Sequence, residues 1–262
     1  MNQQLAAIRA EFIKNKHASI VWVTFIAFSL APLFGSVFMI MMKDNGYEAL
    51  SGAMKSKAMM FSVEANWNSF LGILSQAVGI GGILIFGFVA SWLFGREYAD
   101  GTAKDLMALP MSRTKIANAK FVYYFVWCLS LVIANLLLGL FLGFIIGIEG
   151  FHYQILITNL KTYFITTILI LLLNTPIAFF ALTGRGYLMP LGMVAILLVL
   201  AQIIGALGMG TYFPWAIPGI YSGGGGEDLK MQLDFYSYMI IVVTSILGYV
   251  GTVLWWKHAD QK

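Results

Sequence analysis

Side chains that could perform acid–base, nucleophilic or metal chemistry are few in this sequence, and they do not converge. The histidines share no HExxH motif or other ligand spacing; they are His17, His152 and His258. The single cysteine, Cys128, excludes an internal disulfide and a cysteine-based metal cluster. The sequence has no GxxxxGK[S/T] loop, so the chain itself does not bind ATP in the P-loop manner. We therefore expect a protein that is not an enzyme and that holds no metal or cofactor of its own.

Uncharged amides lie inside four of the long apolar runs; they are Gln76, Asn135, Asn174 and Gln202. In a membrane span such an amide either bonds to a neighbouring helix or lines a polar path. Both interpretations stay open, and the four amides together form a hypothetical substrate path. The same runs hold no acidic or basic residue, which disfavours a proton- or sodium-coupled carrier.

The composition indicates an integral membrane protein. Of the 262 residues 60% are hydrophobic and 11% are charged, and the mean hydropathy is +0.82. A soluble domain has roughly a quarter of its residues charged. The net charge of +4 comes from scattered basic residues without a long basic run, so nucleic-acid binding is not expected.

Six apolar runs are long enough to cross about 30 Å of hydrocarbon, and none contains Asp, Glu, Lys or Arg. The runs are continuous rather than alternating, which disfavours a barrel. The sequence therefore predicts an all-α integral membrane protein with one transmembrane domain over residues 1–262. Its predicted spans are 18–42, 70–94, 121–148, 163–183, 188–207 and 236–256.

The basic residues predict the orientation of the chain. With the N-terminus inside, 11 of the 16 Lys and Arg residues fall in the inner segments. Cytoplasmic loops collect basic residues, so both termini are expected in the cytoplasm of a multi-pass cell-membrane protein.

Three segments outside the spans carry further patterns. Residues 1–17 have an apolar side and predict an amphipathic helix on the inner leaflet, with a disordered tail as the alternative; the apolar residues are Leu5, Ile8, Phe12 and Ile13. The outer loop 208–235 contains two prolines with flanking aromatics, which suggests re-entrant or interfacial pieces. The largest inner loop is 95–120.

The inner loop predicts a short helix that could dock on a soluble partner. Thr102-x-x-Asp105 is a capping box, so a helix should start near Ala103 and stop at Pro110. The helix would have an apolar side formed by Leu106, Met107 and Leu109, which suits a groove of another protein. A solvated loop with incidental charges is the alternative.

The same loop, REYADGTAKDLMALPMSRTKIANAK, resembles the cytosolic loop of permease subunits of ATP-binding-cassette (ABC) exporters of the type-two (type V) class. The similarity rests on Glu97, Gly101, Thr102, Leu109, Pro110, Arg113 and Lys120. The layout of the whole chain is also similar to that family: an amphipathic N-terminal helix, six spans and a broken outer loop before the last span. Within the family it looks most similar to short permeases of bacteriocin, lantibiotic or bacitracin self-protection.

The resemblance implies a bacterial exporter of an amphipathic or hydrophobic substrate such as a peptide, an antibiotic or a lipid-like molecule. It also implies a separate cassette subunit that binds ATP and Mg, and a second permease subunit, identical or related. The loop residues that it assigns to ATPase coupling are Glu97, Gly101, Thr102, Asp105, Leu106, Met107, Leu109, Pro110, Arg113 and Lys120. The rival hypotheses are an ATP-independent channel or carrier and a lipid-modifying membrane enzyme.

The predicted orientation can be tested with single cysteines placed at Lys55 and Lys115 in a Cys128→Ala background. An impermeant thiol reagent should label Lys55→Cys from outside intact cells, and Lys115→Cys only after the membrane is opened. Equal labelling of both positions in intact cells would contradict a six-span chain with both ends inside.

Overall fold

A computed structural model describes residues 3–50, 63–107 and 111–258, together with residues 52, 55, 56 and 59. The described part of the chain is helical and contains no β-strand. Six of its helices are long and apolar enough to cross a membrane, which confirms the predicted fold class. The spans, in chain order, are Ser19–Asn45, Trp67–Ala99, Arg113–Ile146, Tyr153–Thr183, Leu188–Ala206 and Phe235–His258.

Several helices extend beyond the apolar runs that predicted them. The third begins at Arg113 rather than at residue 121, and the fourth begins at Tyr153 rather than at residue 163. The third helix has 34 residues and is about 51 Å long, whereas the hydrocarbon core is about 30 Å thick. Hydropathy marks the hydrocarbon thickness, while the backbone hydrogen bonds of a helix continue into the interface.

Two spans are interrupted, each beside glycine or proline residues. The second span contains a π-helical turn over Ala77–Gly81. The fourth span divides at Asn174 into Tyr153–Leu173 and Thr175–Thr183. Pro176 follows this break and has no backbone N–H for the carbonyl four residues before it. The hydroxyl of Thr175 donates to that carbonyl, Leu172 O, at 2.8 Å, so the polar group stays satisfied inside the membrane.

The break in the fourth span fits closely against the sixth span. The hydroxyl of Thr175 lies 3.1 Å from the hydroxyl of Ser245. A Cβ atom added to Gly248 would lie 2.6 Å from the Cα atom of Pro176, so only glycine allows this approach of two backbones.

The segment between the fifth and sixth spans, predicted to lie outside and called the outer segment, contains a short buried helix, Ile217–Tyr221, and an exposed one, Glu227–Met231. The buried helix packs on the π-helical turn of the second span. A Cβ atom added to Gly79 would lie 2.9 Å from the carbonyl oxygen of Pro218. The depth of these pieces in the bilayer remains a prediction of the sequence.

Candidate functional site

The loop between the second and third spans forms a helix over Ala103–Met107, beginning where the sequence places its start. The chain reaches it through Gly101, whose φ of 71° lies in the left-handed region that favours glycine. Asp105 is exposed, whereas Leu106 is half-buried and packs against the hydrophobic core. Leu109 and Pro110 lie outside the described residues, and the side chain of Met107 is not described.

Thr102 fixes the start of this helix to the end of the second span. Its hydroxyl donates to Oε2 of Glu97 at 2.8 Å. Glu97 is 1% exposed, so the loop is attached to a carboxylate inside the protein rather than to one in solvent.

Lys120 is the centre of a buried charge cluster. Its side chain has no exposed area, although the hydropathy pattern predicts that it lies in the inner loop. Its Nζ atom lies 2.9 Å from Oε1 of Glu97 and 3.3 Å from Oε1 of Glu11, and it donates to the carbonyl of Leu93 at 3.2 Å. Lys14 also pairs with Glu97. The cluster therefore joins the N-terminal helix to the second and third spans.

The four charges of the cluster balance each other. Two carboxylates, Glu11 and Glu97, face two ammonium groups, Lys14 and Lys120. An unpaired charge away from water is costly, whereas a paired and hydrogen-bonded one is tolerated. Burial of Glu11, Glu97 and Lys120 therefore requires their charged partners to stay in place.

A second set of contacts extends the cluster to the surface. Nη1 of Arg96 donates to Oδ1 of Asn15 at 2.5 Å, and the Arg96 guanidinium lies 4.5 Å from the centre of the Trp92 ring. The amide of Asn15 donates to the carbonyl of Glu11 at 2.8 Å. These bonds fix the end of the N-terminal helix against the second span.

The N-terminal helix covers Gln3–Asn15, and its protein-facing side is unexpectedly polar. Glu11 and Asn15 are buried beside Ala7, whereas the apolar side chains of Leu5 and Ile13 are 61% and 64% exposed. An apolar side that points away from the protein suits the predicted position on a bilayer surface. The sequence predicted the apolar side but not the burial of Glu11. The four-residue spacing of Ala7, Glu11 and Asn15 places them on one helical face, and this spacing could have indicated that they are buried together.

Arg113 lies apart from the cluster. Its Nη1 atom donates to the carbonyl of Trp256 at 3.5 Å, so it ties the start of the third span to the end of the sixth. The structure thus brings together Glu97, Thr102 and Lys120 from the predicted coupling residues, and places Arg113 on a different contact.

The four amides occupy different surroundings. Asn135 is buried; it donates to the carbonyl of Phe28 at 2.8 Å and lies 3.1 Å from the hydroxyl of Tyr163, which is the helix-linking arrangement. Asn174 is buried at the break of the fourth span, and Gln202 is exposed on the fifth. Among the described residues, Gln76 is the one of the four that lines the groove between the first and second spans. The substrate path thus remains a proposal, resting mainly on Gln76.

Comparison with known proteins shows similarity to a transporter family and to a transport permease. A family model described as "ABC-2 family transporter protein" matches residues 7–202, which include the N-terminal helix, the charge cluster and most of the spans. The chain is also 27% identical over 179 residues to the bacitracin transport permease protein of Bacillus licheniformis. That alignment covers 68% of this chain and 85% of the relative.

Replacement of Lys120 by Met should destabilise the protein strongly, because Glu11 then stays buried without its cation. Breaking a buried pair from one side costs about 3–5 kcal/mol. The expected result is a clearly lower melting temperature in detergent, followed by tryptophan fluorescence.

Two matched variants make this test specific. Lys115→Met removes a surface lysine that bonds to Gln3, so it should melt like the unaltered protein. The double change of Lys120→Met with Glu11→Gln leaves the neutral pair of Lys14 and Glu97, so it should recover much of the loss. A double variant no more stable than Lys120→Met alone would show that the loss does not come from charge.

Proposed function

Since this chain belongs to the ABC-2 family of transporter proteins, it is a membrane permease, and we propose that it exports its substrate with ATP hydrolysed by a separate cassette subunit. The observation that carries the proposal is the attachment of the loop helix to the spans. Ala103–Met107 begins directly after Thr102, which bonds to Glu97, and Glu97 bonds to Lys120 at the start of the third span.

This attachment suits a helix that receives force from outside the membrane. If the loop helix were on a flexible loop, a partner that displaced it would move the helix without moving the spans. Here the same carboxylate bonds to the loop, to the N-terminal helix through Lys14 and to the third span through Lys120. A displacement of the loop would therefore move the second and third spans with it as a rigid body.

The proposed partner is a cassette subunit that docks on the loop helix and binds ATP and Mg. Asp105 on this helix is exposed and therefore available to a partner. The working unit would contain two permeases and two cassettes, with both termini of each permease in the cytoplasm of the cell that carries them. Closure of the cassettes on ATP would move the two loop helices together and rearrange the spans between inward-facing and outward-facing states.

The proposed substrate is amphipathic or hydrophobic. Six apolar spans with few polar side chains suit such a molecule better than a sugar or an ion. The relative is named a bacitracin transport permease, which supports a peptide antibiotic or a lipid-like molecule as the substrate class, and self-protection as the role.

The docking role of the loop predicts a specific defect in Leu106→Asp. The new carboxylate would be unpaired at the contact between loop and cassette, where its desolvation is costly. The permease should insert in normal amounts, while the ATPase activity that co-purifies with a tagged permease should fall about tenfold or more.

The matched control is Met231→Asp, which introduces the same charge on the exposed outer helix, where Met231 is 74% exposed. It should leave the bound ATPase activity unchanged. Because Leu106 also packs on the protein itself, the melting temperature of each variant is measured alongside. Normal cassette binding by a correctly folded Leu106→Asp permease would contradict the docking role.

A further inference from the structure

A groove of about 480 Å³ lies between the first and second spans. Its walls are almost entirely apolar, and several of its side chains are small or absent. The lining residues that matter here are Ala27 and Ala31 of the first span, and Gln76, Ile80, Gly81 and Leu84 of the second.

The groove exists because the first and second spans contact each other beyond both of its ends but stay apart along its length. Towards the outer end, Gly35 brings the backbone of the first span close to the second, since a Cβ atom added there would lie 3.4 Å from Ile73 Cγ2. Towards the other end, the rings of Phe28 and Phe86 lie 5.8 Å apart. Between these contacts, a Cβ atom added to Gly81, at the end of the π-helical turn, would meet nothing within 4 Å.

The depth of the groove determines what surrounds it. Gln76 lies nine residues after the start of the span at Trp67, which is about 14 Å along a helix axis. Leu84, at the rim, is 42% exposed and lies deeper in the span. The groove is therefore open to the hydrocarbon of the bilayer rather than to water.

Gln76 is the polar side chain among the residues that line this groove, and it is half-buried. An amide in hydrocarbon is unfavourable unless it is hydrogen-bonded, so a polar atom of a bound molecule would stabilise it. The run of four glycines at 223–226 in the outer segment passes close by, because a Cβ atom added to Gly223 would lie 3.8 Å from Nε2 of Gln76. The polar end of the groove therefore points towards the outer segment.

We propose that this groove binds one hydrocarbon chain of an amphipathic lipid, with the polar linkage of the lipid at Gln76. The chain lies along Ala27, Ala31 and Gly81, where the missing side chains leave room for it. The head group lies beside the outer segment. As a statement about the transported molecule, this inference rests on the proposed function and narrows the substrate to lipids and lipid-like amphipaths.

Photolabelling of the full-length permease tests the site directly. The protein is placed in vesicles of phosphatidylethanolamine and phosphatidylglycerol that contain a trace of a phospholipid with a diazirine in one acyl chain. After irradiation, label should concentrate at residues 27–31 and 80–84. It should exceed the label at Val243, Ile246 and Leu247, which are exposed side chains of the sixth span.

Gly81→Leu should lower the labelling of the groove about tenfold, because even one methylene changes binding in an apolar pocket by a factor of ten or more. Gly81→Ala should give a smaller loss. The matched control is Gly72→Leu in the same span, where an added Cβ atom also meets nothing within 4 Å, and it should label like the unaltered protein. Unchanged melting temperatures show that these variants are folded.

Two results would overturn the proposal. One is equal labelling of the groove and the sixth span, unaffected by Gly81→Leu. The other is efficient disulfide dimerisation of Ala31→Cys in a Cys128→Ala background, which would show that a second copy of the chain fills the groove. The labelling needs no cassette, so failure of this site is distinguishable from failure of the cassette to bind.

Discussion

The burial of Lys120 is the constraint that determines how the N-terminal helix, the loop helix and the second and third spans are arranged. An ammonium group without exposed area requires carboxylates close by, and Glu97 and Glu11 supply them. Glu11 can do so only if the N-terminal helix lies against the third span. Glu97 in turn fixes Thr102 and the start of the loop helix. One buried charge thus sets the positions of three helices and of the segment proposed to contact the ATPase.

The bilayer imposes the second constraint, because backbone polar groups inside it must be satisfied within the protein. The fourth span can break at Asn174 since Thr175 bonds to the carbonyl that Pro176 leaves without a donor. The second span bulges at Ala77–Gly81, and this bulge both receives the buried outer helix and ends at the groove. At both of these interruptions the irregular backbone lies beside a neighbouring element or an opening between spans.

The six spans could be predicted because a transmembrane helix needs about 20 consecutive apolar residues, and other kinds of helix or strand rarely contain so long an apolar run. The sequence also predicted a helix that starts near Ala103, but the Thr102 hydroxyl, expected to cap this helix, donates to Glu97. The ends of the spans were not predictable, because the helical backbone continues past the hydrocarbon, as at Arg113. The charge cluster was missed for a different reason. Lys120 and Glu97 were both recognised as loop residues, but their pairing with Glu11 and Lys14 joins distant parts of the chain, which no local spacing reveals.

We expect the N-terminal helix and the loop helix to move as one unit when the proposed cassette binds ATP. Spin labels at two exposed positions, Arg9 on the N-terminal helix and Asp105 on the loop helix, measure the distance within this unit in a Cys128→Ala background. A second pair, Asp105 and Met231, measures movement of the unit relative to the outer segment. With the cassette present, ATP should change the second distance and leave the first unchanged. A change of the first distance as large as the second would contradict the account.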